Sequence, residues 1–315
     1  MADQRLNALD AKGAHPLANV TKTPPQYAAL TPRWITKFLE FKGLESGIYR
    51  VNKVTEGDSP LDVLCSYDSN KTDIPQGYIE YQAEPREYHL NAISTILNVD
   101  TRIQDVYSSP FDQTGEQLAL AIESLKERQE SQLINNDDYG LLKNVAQNQR
   151  IKPRYGRPMP DDLDELLSKV WKEPSFFLAH PRAIAAFARE CTMRGVPPLT
   201  TSIRGGVFIL WRGIPIIPTD KLFVDGLINP KAKTGKTNIL LVRTGEAKRG
   251  VIGLFMTGLE NEHSRGLNVR LRGVDDKGLA SYLLSLYCSA AILADDAIAV
   301  LEDVEVGEYY EYDRI

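Results

Sequence analysis

The sequence predicts an α+β fold, and three observations carry that prediction. Amphipathic helical stretches and β-rich runs alternate without the regular βαβ rhythm of a parallel sheet. No fixed-period repeat occurs, which argues against a solenoid. The segment from Gly47 to Glu84 reads as successive extended pieces divided by turn clusters. With 315 residues, the chain has room for one large domain or two ordinary ones.

Residues 1 to about 33 show no clean period and carry Pro16, Pro24, Pro25 and Pro32, the pattern of an extended arm. Thr31-Pro32 then predicts a short helix to about Lys42, with Trp34, Ile35, Phe38, Leu39 and Phe41 on its apolar face and Gly43 ending it. The pieces GIYRVNKV, DVLCSY and YIEYQAE follow. Ile79, Tyr81 and Ala83 alternate with Glu80, Gln82 and Glu84, as in a half-buried strand. A two-stranded ribbon is not stable alone in water, so this tongue needs a partner surface.

Pro110-Phe111-Asp112 opens a long helix to about Leu133, with Asp112 or Thr114 as its cap. Leu118, Ala121, Ile122 and Leu125 form its apolar stripe. The stretch KERQESQ beyond is polar all round, so that half is solvated or bridges to something. A second short helix is expected from Asp137-Asp138 to Gln147. RIKPRYGRPMP, residues 150–160, is a basic connector. Asp161-Asp162 caps a helix to about Trp171, with Leu163, Leu166, Leu167 and Val170 inward. PSFFLAH is a short buried strand, and Pro181 opens a helix to Arg194 with Ile184, Phe187, Ala188 and Cys191 on one face. MRGVPP breaks it. VFILWRGIPIIP is two strands joined at Arg212-Gly213, the second placed at a sheet edge by Pro215 and Pro218. NILLVRT, GVIGLFMTGL and Tyr282 to Ile292 are further strands. Asp295-Asp296 is a turn, after which Ala297 to Leu301 continues the fold.

Several function classes are disfavoured. A net charge of −5 is poor footing for nucleic-acid binding. The three cysteines, Cys65, Cys191 and Cys288, are far apart and indicate neither a disulfide framework nor a zinc site. The polar start, Met1 to Arg5, opens no signal peptide. Leu279 to Leu301 is long and apolar, but Asp295 and Asp296 lie inside it, which argues against a membrane span. NPKAKTGKTN, residues 229–238, contains Gly235-Lys236-Thr237, the end of a phosphate-binding loop. Its first glycine is replaced by Pro230, which has no N–H to offer, and a strand follows where a helix is needed. This leaves Lys231, Lys233 and Lys236 on a basic loop whose position is open.

Catalytic and metal motifs are absent. His15, His89, His180 and His263 show no metal-pair spacing, and His180, between a strand and a Pro-started helix, reads as structural. The pairs Asp137-Asp138, Asp161-Asp162, Asp275-Asp276 and Asp295-Asp296 are poor acid/base pairs, because neighbouring carboxylates point to different sides; capping explains the first two. The tail LEDVEVGEYYEYDRI combines acids with Tyr309, Tyr310 and Tyr312 and reads as a solvated terminus or a binding tail.

The order of parts resembles the tailed-phage major capsid fold of the HK-ninety-seven type: N-arm, extended loop, spine helix in a peripheral domain, then an axial domain. LWRGIPIIPTDKL at 210–222 and ILADDAIAVL at 292–301 are similar to stretches of that fold. NVTKTPPQYAALTPRWITKFLEFKGLESGIYRVNKV, from Asn19 to Val54, resembles the start of encapsulins of the second family that package cysteine desulfurase. There is no room for the cyclic-nucleotide-binding insertion of that family's other branch. The resemblance implies an arm and short helix over 1–45, an extended loop over 46–86, a peripheral domain over 87–173, an axial domain over 174–280, and a closing strand and tail over 281–315. It implies a bacterial cytoplasmic, icosahedral shell that encloses a cysteine desulfurase, with sulfur storage possible. Any pyridoxal phosphate would sit on that cargo, and this chain would hold no cofactor, metal or catalytic residue. By family position Thr192, Met193, Arg194, Gly195, Val196 and Pro197 would line the fivefold pore. Arg194, the only charge there, would form a positive ring favouring anions. The rival readings are a prophage capsid protein and a cytoplasmic enzyme with scattered catalytic residues.

Overall fold

The computed structural model describes residues 31–52, 85–100, 113–225, 235–276 and 278–307, and its longest strand organises the molecule. This strand, β14 (Leu279–Ile292), pairs antiparallel with three others. They are β4 (Asn91–Asp100) over residues 279–288, β13 (Leu267–Val274) over 280–286 and β11 (Val251–Met256) over 288–292. β1 (Glu40–Leu44) adds to β11 in parallel, and β12 (Glu262–Ser264) closes the other end. On this sheet lies the spine helix α2 (Gln113–Asn135). Its predicted stripe of Leu118, Ala121, Ile122 and Leu125 packs against Leu267, Leu284 and Leu286.

A second sheet has seven strands in the order β5 (Arg150–Ile151), β15 (Ile298–Glu305), β10 (Lys236–Val242), β6 (Phe176–Ala179), β9 (Ile214–Pro218), β8 (Gly206–Trp211), β7 (Leu199–Ile203). Every residue of β6 is buried. Phe176 and Leu178 face one core, with Ile35, Leu133 and Ile134. Phe177 and Ala179 face another, under α3 (Pro160–Lys169) and α4 (Pro181–Met193), with Leu163, Leu166 and Phe187. A strand covered on both faces reads as a continuous apolar run, as this one does. A 3₁₀ turn at Asp295–Ala297 carries β14 of the first sheet into β15 of the second. The stretch 174–280 contributes strands to both sheets.

Four expectations are corrected. The helix predicted to Lys42 stops early: α1 covers only Trp34–Phe38, and Phe41 and Gly43 belong to β1. Gly43 suits that strand because a Cβ there would lie 2.4 Å from the Thr257 methyl. No helix forms from Asp137 to Gln147; the segment is turns ending in a 3₁₀ turn at Gln147–Gln149, so Asp137-Asp138 caps nothing. Asn136 Oδ1 instead accepts from the Asp138 and Tyr139 amides, an alternative to helical bonding. Finally, β9 is interior, between parallel β6 and antiparallel β8, despite its two prolines. The β6 ladder reaches only as far as Ile216, so Pro215 lies outside it. Pro218 is the strand's last residue, and the Thr219 amide supplies the next bond, to Ala179 O at 3.0 Å.

Of the expected ribbon, the base is described: β2 (Ile48–Val51) pairs antiparallel with β3 (Arg86–His89). The pieces DVLCSY and YIEYQAE, the cap Asp112 and most of the arm lie outside the described residues.

Candidate functional site

The turn expected to line a pore is built by the end of α4. Pro181 occupies the first helical turn, and His180 caps it, its Nδ1 accepting from the Arg182 amide at 3.1 Å. Burial and the nearby Arg182 charge lower the His180 pKa, which keeps the ring neutral for this structural task. Phe187 packs edge-on against Trp211, ring centroids 5.2 Å apart, and fixes the helix on the second sheet. After Met193 the chain closes a two-bond cap: the Gly195 amide donates to Thr192 O and the Val196 amide to Cys191 O, both at 3.0 Å. Gly195 has φ 72°, the left-handed conformation that this cap demands. The turn therefore has one defined shape, and it presents Met193 and Val196 at 59% and 51% exposure.

Arg194 does not stand free at this tip. Its Nη1 donates to Glu190 Oε2 at 2.5 Å and to Glu190 O at 3.2 Å, one helical turn back. The hydrogen bond to Glu190 raises the Arg194 pKa further. Arg157 approaches the other Glu190 oxygen at 3.4 Å. Glu190 is buried at the floor of a cleft of about 530 Å³ lined also by Tyr155, Met159 and Glu305. Two guanidinium groups thus share one carboxylate, and the outermost side chains of the turn are apolar.

The remaining candidates are absorbed by the fold. Lys236-Thr237 opens β10, a strand, so the helix that a phosphate loop requires is absent there. Lys236 exchanges backbone bonds with Asp225 (2.8 and 3.2 Å), Gly235 O accepts from Val306 N, and Thr237 is buried. Lys231 and Lys233 lie outside the described residues, as do His15, Cys65 and the tail tyrosines. Cys191 and Cys288 are buried free thiols, and burial pushes them up to about 11 and about 12. No group of three metal-ligating side chains exists among the described residues. None of their helices is long and apolar enough to cross a membrane.

A contact that sequence reasoning did not find anchors the root of the N-arm. The polar half of α2 bridges to it. Thr31 donates through both its amide and its hydroxyl to Glu127, at 3.2 and 2.7 Å, and Arg33 pairs with Glu123 at 2.5 Å. Glu130, 1% exposed, lies beside them, 3.4 Å from the Thr31 hydroxyl. Lys221 reaches Glu127 at 2.9 Å and Asp220 at 2.8 Å. The partners are about ninety residues apart in sequence, and no local pattern announces them.

The fold is the capsid fold of the HK-ninety-seven type, as solved structures show. A solved chain of Microbacterium phage Oxtober96 superposes with a TM-score of 0.55, at 11% identity over 96% of both chains. The capsid of a native GTA particle gives 0.55 at 13% identity, covering 90% of this chain and 98% of that one. Much nearer is the holo-SrpI encapsulin complex from Synechococcus elongatus, with a TM-score of 0.79 and 51% identity over 98% of this chain and 99% of that one. The family model for type 2A encapsulin shell protein, SrpI-like, matches residues 49–308. The Synechococcus elongatus type 2A encapsulin shell protein SrpI is 53% identical over 97% of this chain and 96% of its own length. A type 2A encapsulin shell protein of Mycolicibacterium paratuberculosis is 49% identical over 99% of both. The chain belongs to the type 2A encapsulin shell protein family. It is a structural shell subunit and not an enzyme.

Proposed function

We propose that this subunit assembles into an icosahedral bacterial compartment in the cytoplasm that encloses a cysteine desulfurase, with pyridoxal phosphate and the sulfur chemistry belonging to the cargo. The observation that carries the reading is the near full-length similarity to a shell whose solved form is a holo complex. Negative-stain microscopy of protein purified from its native host should show closed megadalton particles. Their contents should convert cysteine to alanine, and release the sulfur as sulfide when a thiol reductant is supplied. Particles that are empty, or filled with a different enzyme, overturn the cargo assignment.

Within the shell we assign the turn Thr192, Met193, Arg194, Gly195, Val196 and Pro197 to the fivefold pore. Arg194 bears on the passage of anions through the charge it shares with Arg157 and Glu190. Arg194→Glu shells should admit small anions more slowly than wild type, read by stopped-flow quenching of an enclosed dye with iodide. Unchanged passage would sink this assignment.

A further inference from the structure

We propose that Glu130, beside Glu127, forms a proton-operated latch on the N-terminal arm: while Glu130 holds a proton, Thr31 to Ile35 stay clamped against the spine helix, and losing it loosens that clamp. The geometry sets the charge balance. Three carboxylates, Glu127, Glu130 and Asp220, gather around one ammonium, Lys221, which is already committed to Glu127 and Asp220. Arg33, at the root of the arm, is taken by Glu123, and Glu123 also binds Lys126 at 3.2 Å. His180 also interacts with Asp220, and burial and Arg182 lower its pKa, which leaves it neutral near pH 7. Among the described residues, Glu130 thus has no cation of its own while sealed from solvent. A buried carboxylate in that position takes a proton instead.

Burial, together with the Glu127 and Asp220 charges, outweighs Lys221 and pushes Glu130 up to about 7. The Ile35 amide, at the start of α1, bonds to the same carboxyl. The short helix α1 therefore rests directly on the titrating group. Beside it, Glu127 accepts two bonds from Thr31.

The sign follows from linkage. A carboxyl whose pKa is raised in the closed state favours closing at low pH, and this advantage is lost as pH rises toward the raised value. With about 7 closed against 4.5 when exposed, opening of the arm's root should increase roughly 50-fold between pH 5.0 and 7.5, then level off.

The test is hydrogen exchange on intact shells at both pH values, corrected for the intrinsic rate, comparing residues 31–38 with β14 as internal control. The expected result is a large rise in opening at 31–38, none in β14, and loss of the rise in Glu130→Gln shells. Equal corrected protection at both pH values overturns the latch, and so does a Glu130→Gln shell that keeps the rise. Should the variant fail to assemble, the wild-type titration decides alone: a flat profile at 31–38 rejects the proposal.

Discussion

Asp296 shows how a single side chain ties the two sheets. It sits in the turn between β14 and β15, 6% exposed, and receives Arg243 at 2.7 Å and Lys172 at 2.9 Å. Burial works against its charge, but hydrogen bonds from Arg243 and Lys172 overcome it and hold the carboxyl below its usual range. Asp296→Asn leaves the buried Arg243 charge without an anion, so a loss of about 3–5 kcal/mol is expected from urea denaturation. A depressed carboxyl stabilises above its unfolded pKa and loses that contribution as pH falls through the folded one. The variant should therefore lose less stability than wild type on acidification below about pH 4. Gly195 is a smaller case. Nothing lies within 4 Å of a Cβ placed there, so Gly195→Ala feels only the left-handed backbone, about 1–2 kcal/mol by the same measurement. A drop much larger than that would mean the turn is packed in a way the subunit does not show.

At the scale of elements, α1 is too short to hold itself and depends on its aromatic neighbours. Trp34 and Phe38 both meet Phe208 edge-on, at 5.0 and 5.7 Å, and Phe38 lies 5.8 Å from Phe176. Phe208→Ala removes the shared partner and should cost about 3–5 kcal/mol, with faster hydrogen exchange in residues 34–38. Stability within 1 kcal/mol of wild type would show that α1 is held by the spine carboxylates alone. The same elements show what the sequence made legible. The stripe of α2, the apolar run of β14 and the Pro181 start of α4 depend on local periodicity and capping, and they stand where expected. The end of α1 and the place of β9 depend on which strand is adjacent, and β11 and β6 are far away in sequence. β4 was not anticipated, since Asn91 to Asp100 mixes polar and apolar residues and gains its identity by pairing along β14. In the candidate pore turn, the break of the helix at MRGVPP was read, but the ion pair of Arg194 with Glu190, four residues back on one helix face, was not. Arg157's approach to that pair was not readable, nor was the acidic seat of the arm.

The whole subunit presents an apolar surface that a solitary protein would not need. Tyr155, Trp171, Leu199, Val207 and Phe223 are all exposed. Leu199 and Val207 belong to the β7–β8 hairpin, and β7 is the outer edge of the seven-stranded sheet among the described residues. An unpaired edge with exposed aliphatics is an aggregation hazard unless another chain covers it. In a shell family such a cover is expected from a neighbouring subunit, which would meet a different patch on each copy and close the assembly by symmetry. Val207→Asp tests this without disturbing the core, because the side chain is 76% exposed and touches no buried cluster. The variant should keep wild-type circular dichroism and elute as subunits or small oligomers instead of shells. Buried apolar area contributes about 25 cal/mol per Å² at each contact, and a charge placed there is repeated at every symmetry-related copy. A modest defect in one interface is thereby multiplied over the particle. Normal yields of closed shells from Val207→Asp would instead place the hairpin on a free surface and leave the edge of β7 to be covered by some other part of the chain.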